Sequence, residues 1–198
     1  MRIKLLITAI FFIFTVAMAQ AQQFNGGLLA GVAAAEISGD RLEGPNKPGI
    51  YAGAFVNRYI TQRSSFQMEL NFVQKGSRKN PDTLDYSSYL LRLNYVELFL
   101  HYKWDFGEIF TLEAGPSLGV LVNKYEEADY MVLEDPEFQS TDLSANIGLF
   151  VTITDRWRFN LRYSNSVLAV RPHSRGQTYR WNKGQYNEVL SFTFHYQL

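Results

Sequence analysis

Apolar and polar residues alternate along most of the chain after residue 23, with the two-residue period of a β-strand. The C-terminal segment is the clearest case, because one of its faces is wholly apolar and the other wholly polar. Its apolar face consists of Leu190, Phe192, Phe194, Tyr196 and Leu198. Segments around residues 66–72, 96–104, 110–122, 143–153 and 157–163 repeat the pattern, while 23–36 and 49–60 are rich in Gly and Ala and have a less certain facing. These segments predict eight strands and no helix beyond the N-terminal segment.

The predicted connections alternate between short and long. The short ones are 61–64, 105–108 and 154–156, and the long polar ones are about 37–48, 76–88, 123–140 and 171–187. Short turns at one end and long loops at the other are typical of outer-membrane barrels, with the turns on the periplasmic side. The sequence therefore predicts an all-β, eight-stranded antiparallel up-and-down transmembrane barrel in which the first and last strands pair.

A membrane barrel and a soluble barrel differ in the direction in which the charged residues of the polar faces point. These residues are Glu69, Glu97, Glu113, Arg158 and Arg162. In a soluble barrel, such as a periplasmic ligand-binding barrel, they would point into water. Two further features favour a membrane: strands of ten or more residues, and aromatic residues beside the short turns, where an interfacial girdle would lie. The girdle candidates are Tyr102, Trp104, Trp157 and Tyr196.

With the apolar faces toward lipid, the five charged residues must point into the lumen. An eight-stranded barrel has an interior just wide enough for side chains to fill. Pairing and hydrogen bonding would make the burial of three Glu and two Arg tolerable. The sequence thus predicts a plug of side chains rather than a conducting pore.

The N-terminus has the layout of a secretory signal peptide. Arg2 and Lys4 precede an apolar run over residues 5–16, and small residues follow at Ala17, Ala19 and Ala21. This run is shorter than the ~20 residues of a spanning helix. We predict a signal peptide over 1–21, cleaved after residue 19 or 21, and a barrel domain over 22–198. The predicted location is the bacterial outer membrane.

Composition narrows the remaining possibilities. The chain has no Cys, which excludes disulfides and thiolate zinc sites. Lys plus Arg and Asp plus Glu number 19 each, and removing Arg2 and Lys4 leaves 17 basic against 19 acidic residues. A nucleic-acid partner would need a basic stripe, so none is expected.

Six segments, taken in order, resemble the PorT-like outer-membrane β-barrel family. They are GGLLAGV (26–32), YAGAFVNRYI (51–60), MELNFVQKG (68–76), YVELFLHYKW (95–104), LEAGPSLGVL (112–121) and FNLRYS (159–164). The family's usual Tyr-Leu-Glu-Ile-Pro run stands here as residues 95–99, with Phe99 in place of the proline. The resemblance implies an eight-stranded outer-membrane barrel. The founding member is associated with a protein-secretion and gliding apparatus, a role that transfers only by fold-level analogy.

Few residues suggest chemistry. His173 and Ser174 lie in the last long loop, where a lipid-processing hydrolase could use them with a carboxylate, but no orienting acid is identifiable. His101 and His195 fall on predicted lumen faces without the spacing of metal ligands. No catalytic residue, cofactor or metal is expected.

The long loops differ in charge. Loop 123–140 is acidic and loop 171–187 is basic. The two loops either pair with each other as a cap or act separately. In the second case the basic loop would bind lipopolysaccharide phosphates, and the acidic loop would bind divalent cations or a partner.

The predicted function is a non-enzymatic envelope scaffold or partner-binding component. Its expected partners are outer-membrane lipid and lipopolysaccharide, together with other envelope or secretion-system proteins. A lipid-modifying hydrolase and a soluble periplasmic barrel are the alternatives.

Overall fold

A computed structural model describes residues 24–40, 44–81, 86–133, 137–172 and 184–198 of the chain. The strands are β1 (Asn25–Ser38), β2 (Lys47–Tyr59), β3 (Ser64–Lys79), β4 (Tyr89–Phe106), β5 (Phe110–Ala128), β6 (Met131–Val132), β7 (Thr141–Thr152), β8 (Trp157–Ser166), β9 (Arg171–Pro172) and β10 (Gly184–Gln197). Within the described ranges, no helix has the length and hydropathy to cross a membrane. The predicted signal peptide lies outside the described residues and stays a prediction.

Eight long strands form one closed antiparallel ring. The order is β1-β2-β3-β4-β5-β7-β8-β10, and β10 pairs back onto β1 from Gly27 opposite Gln197 to Ser38 opposite Tyr186. The short strands β6 and β9 pair only with β5 and β10. The predicted eight-stranded up-and-down barrel and its closure are confirmed. Closure matters because lipid offers no partner to an unpaired strand edge.

The outer face of the barrel wall is apolar. Leu70, Leu98 and Leu118 lie side by side on β3, β4 and β5 and are 57%, 48% and 50% exposed. The residues that precede the first two, Glu69 and Glu97, point inward and are 1% exposed. An apolar wall around a charged interior is the reverse of a soluble barrel, so the soluble alternative is wrong.

Strands β3 and β5 run further than the sequence pattern predicts. The predicted loops 76–88 and 123–140 begin too early, since β3 continues to Lys79 and β5 to Ala128. The extension of β4 keeps an apolar inward face, Leu91 and Leu93, which is fully buried in the lumen. Its outward face carries the exposed Arg92 instead of a lipid-facing apolar residue. A register shift between Asn94 and Tyr95 marks the place where this extension of β4 on β5 begins.

The short turns use local polar contacts. The Thr61 hydroxyl accepts from the Ser64 amide at 3.0 Å, and the Thr154 hydroxyl accepts from the Trp157 amide at 3.1 Å. Both are side-chain-to-backbone bonds that favour turns over regular strand. The β4–β5 turn instead places Gly107 at φ 83°, in the left-handed region.

Small residues on β1 make room in the lumen. β1 turns Leu29, Ala33 and Ala35 inward, which the sequence left unassigned. A Cβ on Gly27 would lie 2.6 Å from the Phe55 ring, so this position requires glycine. Because many inward positions of β1 hold Ala or Gly, larger side chains from the other strands fill the interior.

Candidate functional site

The Arg162 guanidinium is the centre of the lumen. It donates five hydrogen bonds to three groups: the Glu69 carboxylate at 2.8 and 2.9 Å, the Glu113 carboxylate at 2.8 and 3.2 Å, and the Tyr51 hydroxyl at 2.8 Å. Arg162 is 1% exposed, and its guanidinium carbon lies 5.0 Å from the centre of the Phe99 ring. A planar guanidinium suits this arrangement, because it can bind two carboxylates in bidentate fashion. We call these residues the arginine centre.

Amide side chains complete the coordination of both carboxylates. Gln67 and Asn71 donate to Glu69 at 2.6 and 2.7 Å, and Asn160 donates to Glu113 at 2.9 Å. A buried carboxylate is tolerated only when such partners replace water. The inward polar positions of β3 and β8 therefore hold these two charges in place.

His101 stands between the same two carboxylates. Its Nδ1 lies 3.4 Å from Glu113 Oε2 and 3.9 Å from Glu69 Oε1, and the ring is fully buried. Ligand atoms of Glu69, His101 and Glu113 all fall within 4.8 Å of one another, the spacing of a metal site. Arg162 already donates to both carboxylates, however, so the guanidinium occupies the position that a cation would take.

A second centre, the lysine centre, lies on the extracellular side of the first. Lys75 pairs with Glu97 at 2.5 Å and with Asp142 at 2.9 Å, and all three side chains are at most 2% exposed. Asp142 also accepts from Ser166 at 2.7 Å and from Asn187 at 2.8 Å. Above the lysine centre, the apolar side chains of Ile37, Leu91, Leu93 and Tyr95 fill the lumen.

A third set of contacts closes the extracellular mouth. Arg171 donates to Glu126 at 2.7 Å and to Gln185 at 2.9 Å, and Tyr89 donates to Glu126 at 2.6 Å. The Arg171 guanidinium also lies 4.3 Å from the centre of the Phe138 ring. This mouth cap joins a residue of the predicted acidic loop to one of the predicted basic loop, as the cap hypothesis expects. The rest of the basic loop, 173–183, lies outside the described residues.

The five residues predicted for a lumen network separate into three places. Glu69, Glu113 and Arg162 meet in the arginine centre, and Glu97 lies in the lysine centre. Arg158 is half-buried at the periplasmic end and has no carboxylate within ion-pair distance in the part of the chain that the structure describes.

Sequence reasoning missed Lys75, Asp142 and Tyr51. Lys75 continues the inward positions Asn71 and Val73 on β3, and Asp142 precedes the inward Ser144 on β7. The alternation would have found both, had the first strand been extended by three residues and the other by one. Tyr51 belonged to a Gly- and Ala-rich segment whose facing was uncertain.

The four predicted girdle residues lie at the periplasmic end of the outer wall. Tyr102, Trp104 and Trp157 are 45%, 46% and 45% exposed. The Trp157 and Tyr196 rings are 4.9 Å apart, and the Phe66 and Tyr102 rings are 5.5 Å apart. Their contacts with lipid stay a prediction.

Polar residues mark the opposite edge of the apolar wall. Gln74, Asn94 and Asn123 lie side by side on β3, β4 and β5, and Gln74 donates to Asn94 at 3.1 Å. Across the barrel, Asn165, Glu188 and Glu36 are side by side on β8, β10 and β1. We call these two rows the polar margin.

Beyond the polar margin, a hairpin of β5 and β6 projects with apolar side chains in the open. Asp129 and Tyr130 form its turn with φ 49° and 65°. Tyr130, Met131 and Val132 are 74%, 69% and 58% exposed. We call these three residues the hairpin tip.

Among the described residues, His195 does not belong to the group formed by Glu69, His101 and Glu113. His195 packs against the rings of Phe55 and Phe150, with centroids 5.3 and 4.8 Å away, and contacts the Thr193 hydroxyl. His173 and Ser174, the hydrolase candidates, lie outside the described residues, so that hypothesis stays open to its own test. Replacing either should abolish acyl release from labelled envelope lipid, and unchanged release would exclude the hydrolase.

Comparison with known proteins identifies the class. The structure is similar to Ail, the attachment invasion locus protein of Yersinia pestis, with a TM-score of 0.52, 10% identity, and 89% of this chain and 99% of that chain covered. It is also similar to Neisserial surface protein A, with a TM-score of 0.50, 12% identity, and coverage of 87% and 97%. At these identities the likeness shows the fold alone. No curated protein sequence matches the chain.

A match of the sequence identifies the family. Residues 18–168 match the family described as "Outer membrane protein beta-barrel domain", which covers more than half of the chain. The family match, the closed ring and the apolar outer wall all indicate an outer-membrane protein. The chain therefore belongs to the outer membrane protein β-barrel domain family, and its place is the bacterial outer membrane.

Proposed function

We propose that this barrel is a non-enzymatic, non-conducting scaffold that presents its extracellular end to a partner. The observation that carries the proposal is the filled lumen. The arginine centre, the lysine centre and the mouth cap lie at three successive levels, with apolar side chains between the last two. A solute path would have to disrupt paired, fully buried charges at two of these levels, and breaking one such pair costs about 3–5 kcal/mol.

Ion conductance tests the sealed lumen. The refolded protein in a planar lipid bilayer should show no steady conductance. Glu126→Ala removes the acceptor of the mouth cap and should leave the bilayer equally silent, because the two lower levels are untouched. Large, steady conductance of the unaltered protein would refute the proposal.

The hairpin tip supports the partner-binding role. A contiguous group of exposed apolar side chains outside the membrane is typical of an interaction surface. Replacing Tyr130, Met131 and Val132 with Ser should remove a cross-linked partner recovered from the native envelope. Arg78→Ser, at the exposed end of β3, is the matched control and should retain it. Equal recovery from both variants would place the partner elsewhere.

A finer assignment rests on resemblance alone. We propose that the chain is PorT-like and serves with a secretion or motility apparatus, supported by the six ordered segments from residue 26 to residue 164. A gentle-detergent pull-down of the tagged protein from its own envelope tests this. Stoichiometric recovery of secretion or motility components is expected. Recovery of lipopolysaccharide and abundant barrels alone would leave a stand-alone scaffold and contradict the machinery role.

Lipopolysaccharide is the proposed lipid partner at the polar margin. Arg92 is exposed on the outer wall of β4, two residues beyond Asn94, where a guanidinium can bind phosphate. The lipopolysaccharide recovered per barrel after detergent extraction should fall in Arg92→Gln and stay unchanged in Arg78→Gln. An unchanged amount in Arg92→Gln would exclude this residue as a phosphate contact.

A further inference from the structure

The periplasmic end of the lumen contains a small space, partly open to solvent, with an unusual lining. Three of its side chains are cationic, Lys103, Arg156 and Arg158, and none of the residues that line it is acidic. Gln67 and His195 also contribute to the wall. We call this space the basic vestibule. It is separate from the arginine and lysine centres, where every cation faces a carboxylate.

Lys103 is the most deeply buried of the three cations. It is 2% exposed, and its ammonium group donates to Gln67 Oε1 at 2.8 Å. It also lies 3.7 Å from the centre of the Phe150 ring. Its cross-strand neighbour Glu113 is beyond ion-pair distance and is already bound by Arg162 and Asn160. A buried ammonium has three donors, and a single amide acceptor and a ring leave it under-compensated.

The other two cations of the vestibule have no carboxylate partner among the described residues. In the described ranges, no carboxylate lies within ion-pair distance of Arg158, and the only side-chain acceptor of Arg156 is the Tyr196 hydroxyl at 3.3 Å. Asp105 lines a neighbouring periplasmic cavity together with Arg158 but accepts from Thr111 instead. The Nδ1 atom of His195 is buried without a partner. Three cationic side chains and one unpartnered ring nitrogen therefore line the same space.

We infer that the basic vestibule binds one small inorganic anion of the halide class, between Lys103 and Arg158. The cavity volume is about 10 Å³, which is about the limit for a single water-sized particle. This narrow space, which opens to solvent, favours a monatomic anion over phosphate, sulfate or an organic anion. A water would satisfy donors as well, but it would add no negative charge to a lining that holds three cations and no acid.

Bromide is the probe that tests the inference. The full-length mature chain, refolded in detergent, is unfolded with urea while sodium bromide replaces sodium gluconate at constant ionic strength. Gluconate is too large to enter. We expect the apparent unfolding constant to fall with bromide and to follow a one-site curve, with about a tenfold decrease at ten times the Kd.

Two variants separate a site from a general salt effect. Arg158→Gln changes a half-buried side chain and should remove the bromide response, or weaken it at least tenfold. Arg78→Gln, at the opposite end of the barrel, should respond like the unaltered protein. A response that never saturates, or that is the same in all three proteins, would overturn the inference.

Diffraction gives an independent measurement that does not depend on stability. Crystals grown in sodium bromide should show an anomalous peak beside Lys103, absent from Arg158→Gln crystals. A vestibule that holds water only in bromide would overturn the inference, whatever the unfolding curves show.

Discussion

Replacing Arg162 should produce the largest loss of stability available from a single polar substitution in this barrel. Arg162→Met fills a similar volume but leaves the carboxylates of Glu69 and Glu113 without their shared cation. Their oxygens lie within 4.8 Å of each other around His101. At an effective dielectric constant of about 20, two unit charges at that separation repel by about 3–4 kcal/mol.

The expected loss is about 3–5 kcal/mol of unfolding free energy, the usual result of removing one partner of a buried ion pair. Urea unfolding in phospholipid vesicles measures it, with the change in midpoint interpreted at constant m-value. Heat-modifiable migration on a detergent gel shows whether the variant closes into a barrel at all. Arg78→Met, an exposed arginine on β3, should change stability by no more than about 0.5 kcal/mol.

A triple variant makes the reasoning refutable even if Arg162→Met fails to fold. Adding Glu69→Gln and Glu113→Gln removes both orphaned charges, and neutral replacements of a buried ion cluster are often as stable as the original. The triple variant should therefore recover most of the lost stability. A single variant that loses less than about 1 kcal/mol, or a triple variant no more stable than the single one, would refute the electrostatic explanation.

Four further outcomes are expected. Lys75→Met should cost about 3–5 kcal/mol in the same urea assay, because it strands both carboxylates of the lysine centre. Leu98→Arg on the lipid face should cost about 2–4 kcal/mol, whereas Asn94→Arg on the polar margin of the same strand should cost at most about 1 kcal/mol. Gly148→Ala places a methyl group against the Glu113 carboxylate and should cost about 1–3 kcal/mol through overpacking. A variant that keeps only Trp157 should be quenched more by lipids brominated near the headgroup than by lipids brominated at the chain ends, and the reverse order would contradict the girdle.

The sequence predicts the wall of this barrel well because the wall depends only on the alternation of apolar and polar residues along each strand. Inward and outward positions alternate with a period of two, and the closed ring allows only two environments. Leu70, Leu98 and Leu118 could therefore be assigned to lipid from the pattern alone. The extent of the strands was predicted less well, since the apolar outward face ends before the strands do and the extension of β4 turns its apolar residues, Leu91 and Leu93, inward.

The sequence predicts that charged side chains fill the interior, but it predicts only part of their arrangement. Which charges meet depends on their height along the barrel axis, and height depends on strand register and tilt, which alternation does not encode. Glu69 and Arg162, 93 residues apart, meet because β3 and β8 bring them to one level. Arg158 faces the same lumen four residues earlier on β8, and its lower level separates it from every carboxylate of the arginine centre.

This separation explains why the positive and negative charges of the lumen are not balanced at each level along the barrel axis. The arginine centre has two carboxylates for one guanidinium, and Lys103 lies across the strand from one of them without reaching ion-pair distance. Moving Arg158 up one inward position would place it among acceptors, yet the β8–β10 register fixes it opposite His195. Because no carboxylate of the described residues lines the basic vestibule, either an ion from solution supplies a negative charge there or the uncompensated cations destabilise this end of the barrel. The dependence of stability on bromide distinguishes these two cases.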